Sequence, residues 1–198
     1  MDDTWKLYDK IVGWFDGARC KDLMEREYLE LALKVIPEGG KILDLGCGTG
    51  EPMAKFFIES GFRVTGVDGS PQMIALCKKR FPEMEWITAD MRSINLDKEF
   101  DALLAWDSFF HLTENDQRKM FPVFSKHLHK GGVLIFTSGP KAGVEYGRME
   151  GHDFYHASLS LDEYKDLLGK YGFKILLHKV EDPACGQHTV WVTQKIIK

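Results

Sequence analysis

From Lys41 onward, seven β-rich runs alternate with amphipathic helical stretches, which predicts an α/β fold built on a mostly parallel sheet. Two further observations sharpen this. The last two β-rich runs are separated only by EDPACGQ, shorter than the roughly dozen residues a parallel crossover takes, so they form an antiparallel hairpin. The chain has 198 residues, 44% of them hydrophobic and 28% charged, enough to bury one substantial core and to read as a single domain over 1–198. The expected architecture is a seven-stranded sheet with an antiparallel last strand and helices on both faces.

The elements follow in order. Residues 1–36 lie outside the alternation and read as two helices, DDTWKLYDKIVGWFD (2–16) and about 20–36. The strands are KILDLG (41–46), RVTGVD (63–68), MEWITAD (84–90), FDALLAW (100–106), GVLIFTS (132–138), FKILLHKV (173–180) and HTVWVTQKI (188–196). EPMAKFFIESG has Glu51 and Pro52 in its first turn and Gly61 past its end, the start and stop chemistry of a helix. SPQMIALCKKRFP has Ser70 as N-cap, Pro71 at the first helical position and Pro82 as terminator. Glu114 to His129 is helical with a kink expected near Arg118 to Pro122, because a proline inside a helix removes a hydrogen bond. Ser160 and Glu163 make a capping box for SLDEYKDLLGKYG. The Gly-rich stretch 139–158 reads as an insert, so the chain divides into a helical segment (1–36), a core (37–138), the insert, and a C-terminal helix with hairpin (159–198).

Net charge is −4, with lysines spread among acids, so the basic stripe that phosphate-backbone binding needs is missing and nucleic acid is not expected as a partner. MDDTWK lacks a cationic lead with an apolar stretch, and no segment approaches the ~20 apolar residues of a membrane span. The expectation is a soluble, cytoplasmic protein, monomer or homodimer. Cys20, Cys47, Cys77 and Cys185 are far apart with no zinc-type spacing, so they read as reduced thiols and no metal is expected.

The chemistry concentrates around ILDLGCGTGEP (42–52), a strand that feeds a glycine turn and a helix. Such a turn lets backbone approach a nucleotide closely, but Gly46, Gly48 and Gly50 spell GxGxG, and Glu51 stands where the dinucleotide fingerprint has its third glycine. Asp68, at the end of the second strand, suits a ribose diol in either case. Asp44, Asp68, Asp90 and Asp107 fall at or near the ends of the first four strands, with Glu51 at the turn and no Lys or Arg between Ile42 and Ala54. A pyrophosphate among these acids would meet like charge at a cost on the order of a few kcal/mol per contact. The rim suits a cofactor with positive charge.

With these residues in view, the segment 41–138 resembles the class I S-adenosylmethionine-dependent methyltransferase family, whose fold is Rossmann-like. The resemblance implies S-adenosyl-L-methionine as cofactor, its methionine end held by backbone at Gly46, Cys47 and Gly48 with Asp44 toward the ammonium. VTGVDGSPQMI resembles the next family motif and implies Asp68 on the ribose, with Gly69 and Met73 near adenine. TADM implies Asp90 at the adenine amino group and the Met91 amide toward the ring. FDALLAWDSFFHL implies Trp106 backbone beside the methionine moiety and His111 toward the substrate. Outside this core, the resemblance to small-molecule members suggests an N-terminal helical lid in which Tyr8 and Arg19 close over the methionine carboxylate.

Several residues carry two readings. Asp107 either caps the following turn or faces substrate or ammonium; Met73 either packs the core or touches adenine; His111 is either a structural histidine or a base. Cys47 is expected to be chosen for size. Tyr146, Arg148, His152, Tyr155 and His156 suit a substrate lid, though an exposed loop has similar composition. If the acceptor must lose a proton, His111, His156 or Asp107 would assist. The expected function is methyl transfer to an unidentified small molecule; the alternatives are a non-catalytic S-adenosylmethionine-binding protein and a nicotinamide-dependent oxidoreductase.

Overall fold

A computed structural model describes residues 4–197, so Asp2 and Asp3 of the first expected helix lie outside the described residues. The strands are β1 (Lys41–Leu45), β2 (Arg63–Asp68), β3 (Glu85–Thr88), β4 (Phe100–Ala105), β5 (Leu128–Ser138), β6 (Gly143–Met149), β7 (His152–Ser158), β8 (Phe173–Asp182) and β9 (His188–Lys195). Seven of them form one sheet in the order β3-β2-β1-β4-β5-β9-β8. β1 to β5 are mutually parallel, and β9 runs antiparallel to both β5 and β8, which is the reversed strand that the short connection required. Strand order reverses between β1 and β4, and in open α/β sheets the crevice outside the strand ends at such a point is the usual ligand site.

Among the described residues seven α-helices surround the sheet: α1 (Trp5–Lys10), α2 (Val12–Ala18), α3 (Arg26–Leu33), α4 (Met53–Glu59), α5 (Pro71–Arg80), α6 (Glu114–His127) and α7 (Leu161–Lys170). Alternation along the strands sends Ile42 and Leu104 into one core with α3, α4 and α5, and Leu43, Leu45 and Leu103 into the other with α6 and α7. The Ser70 hydroxyl caps α5 by accepting from the Met73 amide at 3.1 Å. Burial of Met120, Phe121 and Phe124 against the sheet supports α6 through Pro122 as a helix of 14 residues. No helix among the described residues is long and apolar enough to cross a membrane.

Four details differ from expectation. The N-terminal segment makes three short helices: α1 tightens at Ile11, whose amide donates to the Tyr8 carbonyl, and the chain turns through 19–25 before α3. The insert is ordered as the hairpin β6–β7, turning at Glu150 and Gly151 with φ of 47° and 76°. Two successive left-handed residues are the hairpin-turn geometry, here without the Asn-Gly signal that marks it most clearly. α4 begins at Met53, leaving Glu51 in the glycine turn. Half of the expected capping box forms: Ser160 accepts from the Glu163 amide, but the Glu163 carboxylate turns away to Arg118.

Candidate functional site

The turn after β1 holds Gly46, Gly48 and Gly50 at φ of 77°, 53° and 80°, a region that side chains with a Cβ avoid. A Cβ on Gly46 would stand 2.2 Å from that of Ser108. The amides of Gly46 and Cys47 both donate to the Val67 carbonyl, and the Gly48 amide donates to Asp68 at 2.9 Å. The first three N–H groups of the turn are therefore spent on the end of β2. The Ser70 amide donates to the other oxygen of Asp68 at 2.8 Å, so two backbone donors fix the direction of this carboxylate.

Above the turn, at the C-terminal ends of β1, β2 and β4, lies a cavity of about 550 Å³. It is lined by Asp44, Gly46, Cys47, Gly48, Asp68, Gly69, Met73, Asp90, Met91, Trp106 and Asp107 from the sheet side. Tyr8 and Arg19 reach it from the N-terminal helices, His111 from the turn after β4, and His156 from β7. Of the cofactor-binding candidates from the sequence, Gly50 does not line it; it lies against Phe81 and Cys77. Met73 is buried and lines the cavity as well, so its two readings are compatible. Of the aromatic and titratable residues singled out in 139–158, Tyr155 and His156 line the cavity and Tyr146, Arg148 and His152 do not.

Charge is distributed differently from the sequence reading. Glu51 meets Lys21 at 2.8 Å, Lys55 at 3.3 Å and Arg80 at 3.6 Å, so two cations from remote chain segments and one from the next turn of the chain supply the charge missing between Ile42 and Ala54. Asp90 is gripped by Arg92. Asp107 takes Arg19 at 3.1 Å and His188 at 2.8 Å. That leaves Asp44 and Asp68 as the acids from the sequence reading without an ion-pair partner among the described residues. Asp44 is 3% exposed, and burial, reinforced by the charge of Asp68 and opposed by Arg19, pushes its carboxyl up to about 7. Burial raises Asp68 too, against the pull of its two amide donors. Two acids at one end of a cavity, one of them uncompensated, form a donor set that fits a cationic group carrying a diol. The set repels a pyrophosphate.

The far side of the cavity has a different chemistry. The Tyr8 hydroxyl and His111 Nε2 are 3.0 Å apart, and His111 Nδ1 is 2.9 Å from the Tyr155 carbonyl. Burial, with the neighbouring His156 adding to it, lowers His111 to about 4, so its imidazole is neutral across the neutral range. Asp107 sits at a φ of 47°, where few non-glycine residues are found, with its amide donating to Thr137. His188 places Nε2 on Asp107 and Nδ1 2.6 Å from the Cys185 carbonyl. Both ring nitrogens face acceptors, and Asp107 raises His188 against the effect of burial, an arrangement that suits imidazolium. Among the described residues no group of three or more His, Cys, Asp or Glu could hold a metal ion.

Sequence reasoning missed Trp5, Phe15, Ser108, Phe110 and His188, all of which line the cavity. Trp5 lies over Gly69, where a Cβ would meet its ring at 2.4 Å, so the glycine after Asp68 was the available signal for a group pressing on that edge. His188 carried no signal, since its 81-residue separation from Asp107 closes only when β9 enters the sheet.

Residues 42–132, the segment that builds the turn and the first four strand ends, match a family described as a methyltransferase domain. This segment belongs to the methyltransferase-domain family. Among its methyltransferase relatives, the glycine/sarcosine N-methyltransferase of Halorhodospira halochloris is 31% identical over 174 residues, 83% of this chain and 61% of that one. The dTDP-4-amino-2,3,4,6-tetradeoxy-D-glucose N,N-dimethyltransferase of Saccharopolyspora spinosa is 30% identical over 137 residues, 67% of this chain and 53% of that one. The chain spans between 43% and 65% of the length of the first curated relatives it matches. In fold, it is similar to an amino pentose methyltransferase from Micromonospora echinaspora solved with S-adenosylmethionine bound, with a TM-score of 0.70 at 18% identity and 98% of each chain covered.

Proposed function

We propose that this chain transfers a methyl group from S-adenosyl-L-methionine to a small-molecule acceptor. Asp44 carries the reading. A buried carboxylate without a cation partner is costly to keep charged, and the cofactor's ammonium is the cation that relieves it. Asp68 takes the ribose hydroxyls. Gly69, Met73, Met91 and Trp5 border adenine, with Asp90 toward its amino group, and Arg19 and Trp106 lie at the methionine end. The bound sulfonium supplies a methyl carbon open to in-line attack, and the chain's part is to align the acceptor and exclude water.

A small acceptor is supported by the aromatic region around Phe110, His111 and Tyr155, and by relatives whose names specify an amino sugar nucleotide and glycine or sarcosine. His111, Asp107 and His156 are the titratable candidates on that side. Calorimetry with S-adenosylmethionine, and with NAD as the competing cofactor, tests the assignment: Asp68→Ala abolishes S-adenosylmethionine binding, and an unchanged affinity sinks it. With labelled cofactor and small-molecule pools, His111→Ala retains binding and loses turnover.

A further inference from the structure

The hydrogen bonds around His111 have a fixed polarity. A carbonyl only accepts, so Nδ1, 2.9 Å from the Tyr155 oxygen, carries the ring hydrogen. In the neutral imidazole Nε2 is then a lone pair, and the Tyr8 hydroxyl 3.0 Å away donates to it. Rings of Tyr8, Phe110 and His156 lie within 5.4 Å of the His111 ring. Both nitrogens are thus engaged, and His111 has no atom left to meet an acceptor molecule. Tyr8 has spent its single hydrogen, while its oxygen lone pairs are unclaimed among the described residues on the wall of the cavity. The chain from Tyr155 through His111 to Tyr8 ends in a hydrogen-bond acceptor.

We propose that this end selects a neutral primary or secondary amine, whose N–H donates to Tyr8 Oη while its lone pair faces the methyl carbon, so that methylation stops at the tertiary amine. The proposal rests on the methyltransferase reading above. A tertiary amine has no hydrogen for Tyr8. An alcohol can donate to it but must lose its proton to react well, and the weak basicity that burial and His156 give His111 provides no strong base for that. In the step itself the nitrogen lone pair forms the new N–C bond, and the C–S bond breaks with its electron pair left on sulfur. The extra proton of the ammonium product passes to water after release. Tyr8 is the group that touches the acceptor; His111 is a positioning residue that keeps the Tyr8 hydroxyl turned away from it.

Two measurements test this. Labelled S-adenosylmethionine is incubated with the full chain and small-molecule extracts, and labelled products are identified by mass spectrometry. Mono- and dimethylated amines are expected, and a purified dimethylated product returned to the enzyme takes no further label. A labelled ether, thioether or quaternary ammonium overturns the amine proposal alone. The absence of any labelled product, with cofactor bound, removes the methyl-transfer reading and the proposal with it. Independently of turnover, nitrogen NMR of the histidine rings in the cofactor-free protein should show His111 as the Nδ1–H form with a hydrogen-bonded Nε2. In Tyr8→Phe the Nε2 signal moves to that of a free neutral nitrogen, and kcat/KM for the amine, measured at saturating S-adenosylmethionine, falls on the order of tenfold or more. An unshifted Nε2 signal overturns the chain of bonds, and an unchanged kcat/KM overturns the role of Tyr8.

Discussion

The two walls of the cavity are held in different ways. The sheet wall stands on β1 and β4, whose residues Ile42, Leu43, Leu45 and Ala102 to Ala105 are all fully buried, so apolar area removed from water fixes Asp44 and Asp107 in place. The facing wall is α1 and α2, which contain no buried residue, with Ile11 buried at the joint between them. Polar contacts attach it to α5 and the glycine turn. Asp9 accepts from the Ser70 hydroxyl and the Gln72 amide, Arg80 grips Asp16 through two bonds of 2.7 and 2.6 Å, and Lys21 reaches Glu51. One wall owes its place to burial, the other in large part to partly exposed charge that salt screens. That difference separates the site's chemistry from access to it.

The largest expected effects come from the sheet wall. Asp68→Ala and Asp44→Asn each weaken S-adenosylmethionine by on the order of a hundredfold or more, because each removes one partner of a desolvated charged contact. The losses are the same at low and high salt by calorimetry. Asp44→Asn has a second signature of opposite sign. The folded-state pKa of Asp44 is raised from 3.8 to about 7, so its contribution to stability is present below the lower value and lost as pH rises through the higher one. At pH 8 the ionised group therefore burdens the cofactor-free fold, and the asparagine variant is the more stable by a few kcal/mol, the gain vanishing toward pH 4. Urea titrations at the two pH values measure it; equal midpoints at pH 8 would place the Asp44 charge in solvent and break the contrast between the walls.

Effects on the cap wall are smaller and depend on salt. Arg80→Ala removes the bidentate grip on Asp16, both partners being about a quarter exposed. The expected cost to global stability is within about 1 kcal/mol. Cofactor affinity falls roughly tenfold at low salt, and parent and variant converge at about 1 M salt, where the Debye length is near 3 Å. A variant whose affinity tracks the parent at every ionic strength would mean that the cap is held by packing after all.

The same division decides what was legible in the sequence. The glycine turn, the aim of Asp68, the cap at Ser70 and the reversed β9 rest on residues near one another in the chain or on a connection too short for its alternative. The acids were found individually, but the cations that pair with them were not, because Lys21 and Arg80 reach Glu51, and Arg19 reaches Asp107, across 29 to 88 residues. Trp5 and His188 were missed for the same reason. The strands of the insert, expected only as a Gly-rich lid, went unread since Glu-Gly is a weaker hairpin signal than Asn-Gly, and the pairing of β6 with β7 exposes most of β6 to solvent, leaving little alternation to read.

His188 joins the two walls and supports the smallest prediction. It lies on β9, yet through Asp107 it shares a carboxylate with Arg19, which follows α2, and Arg19 in turn holds the buried Glu25 at 3.2 Å. Its folded-state pKa is raised, so the stability it contributes is fully present below the unfolded value of about 6.5 and is lost as pH rises through the folded value. His188→Gln therefore destabilises the protein by about 1 kcal/mol at pH 6, discounted for the partial exposure of the pair, and the deficit shrinks as the parent histidine loses its proton. Thermal melts across pH 6 to 9 measure the convergence. The variant also tests which wall Asp107 belongs to. If burial at the end of β4 fixes it, cofactor affinity keeps its parental salt dependence. If the glutamine makes that affinity salt-sensitive, Arg19 has become the main hold on Asp107, and the sheet wall depends on the cap for one of its four strand-end acids.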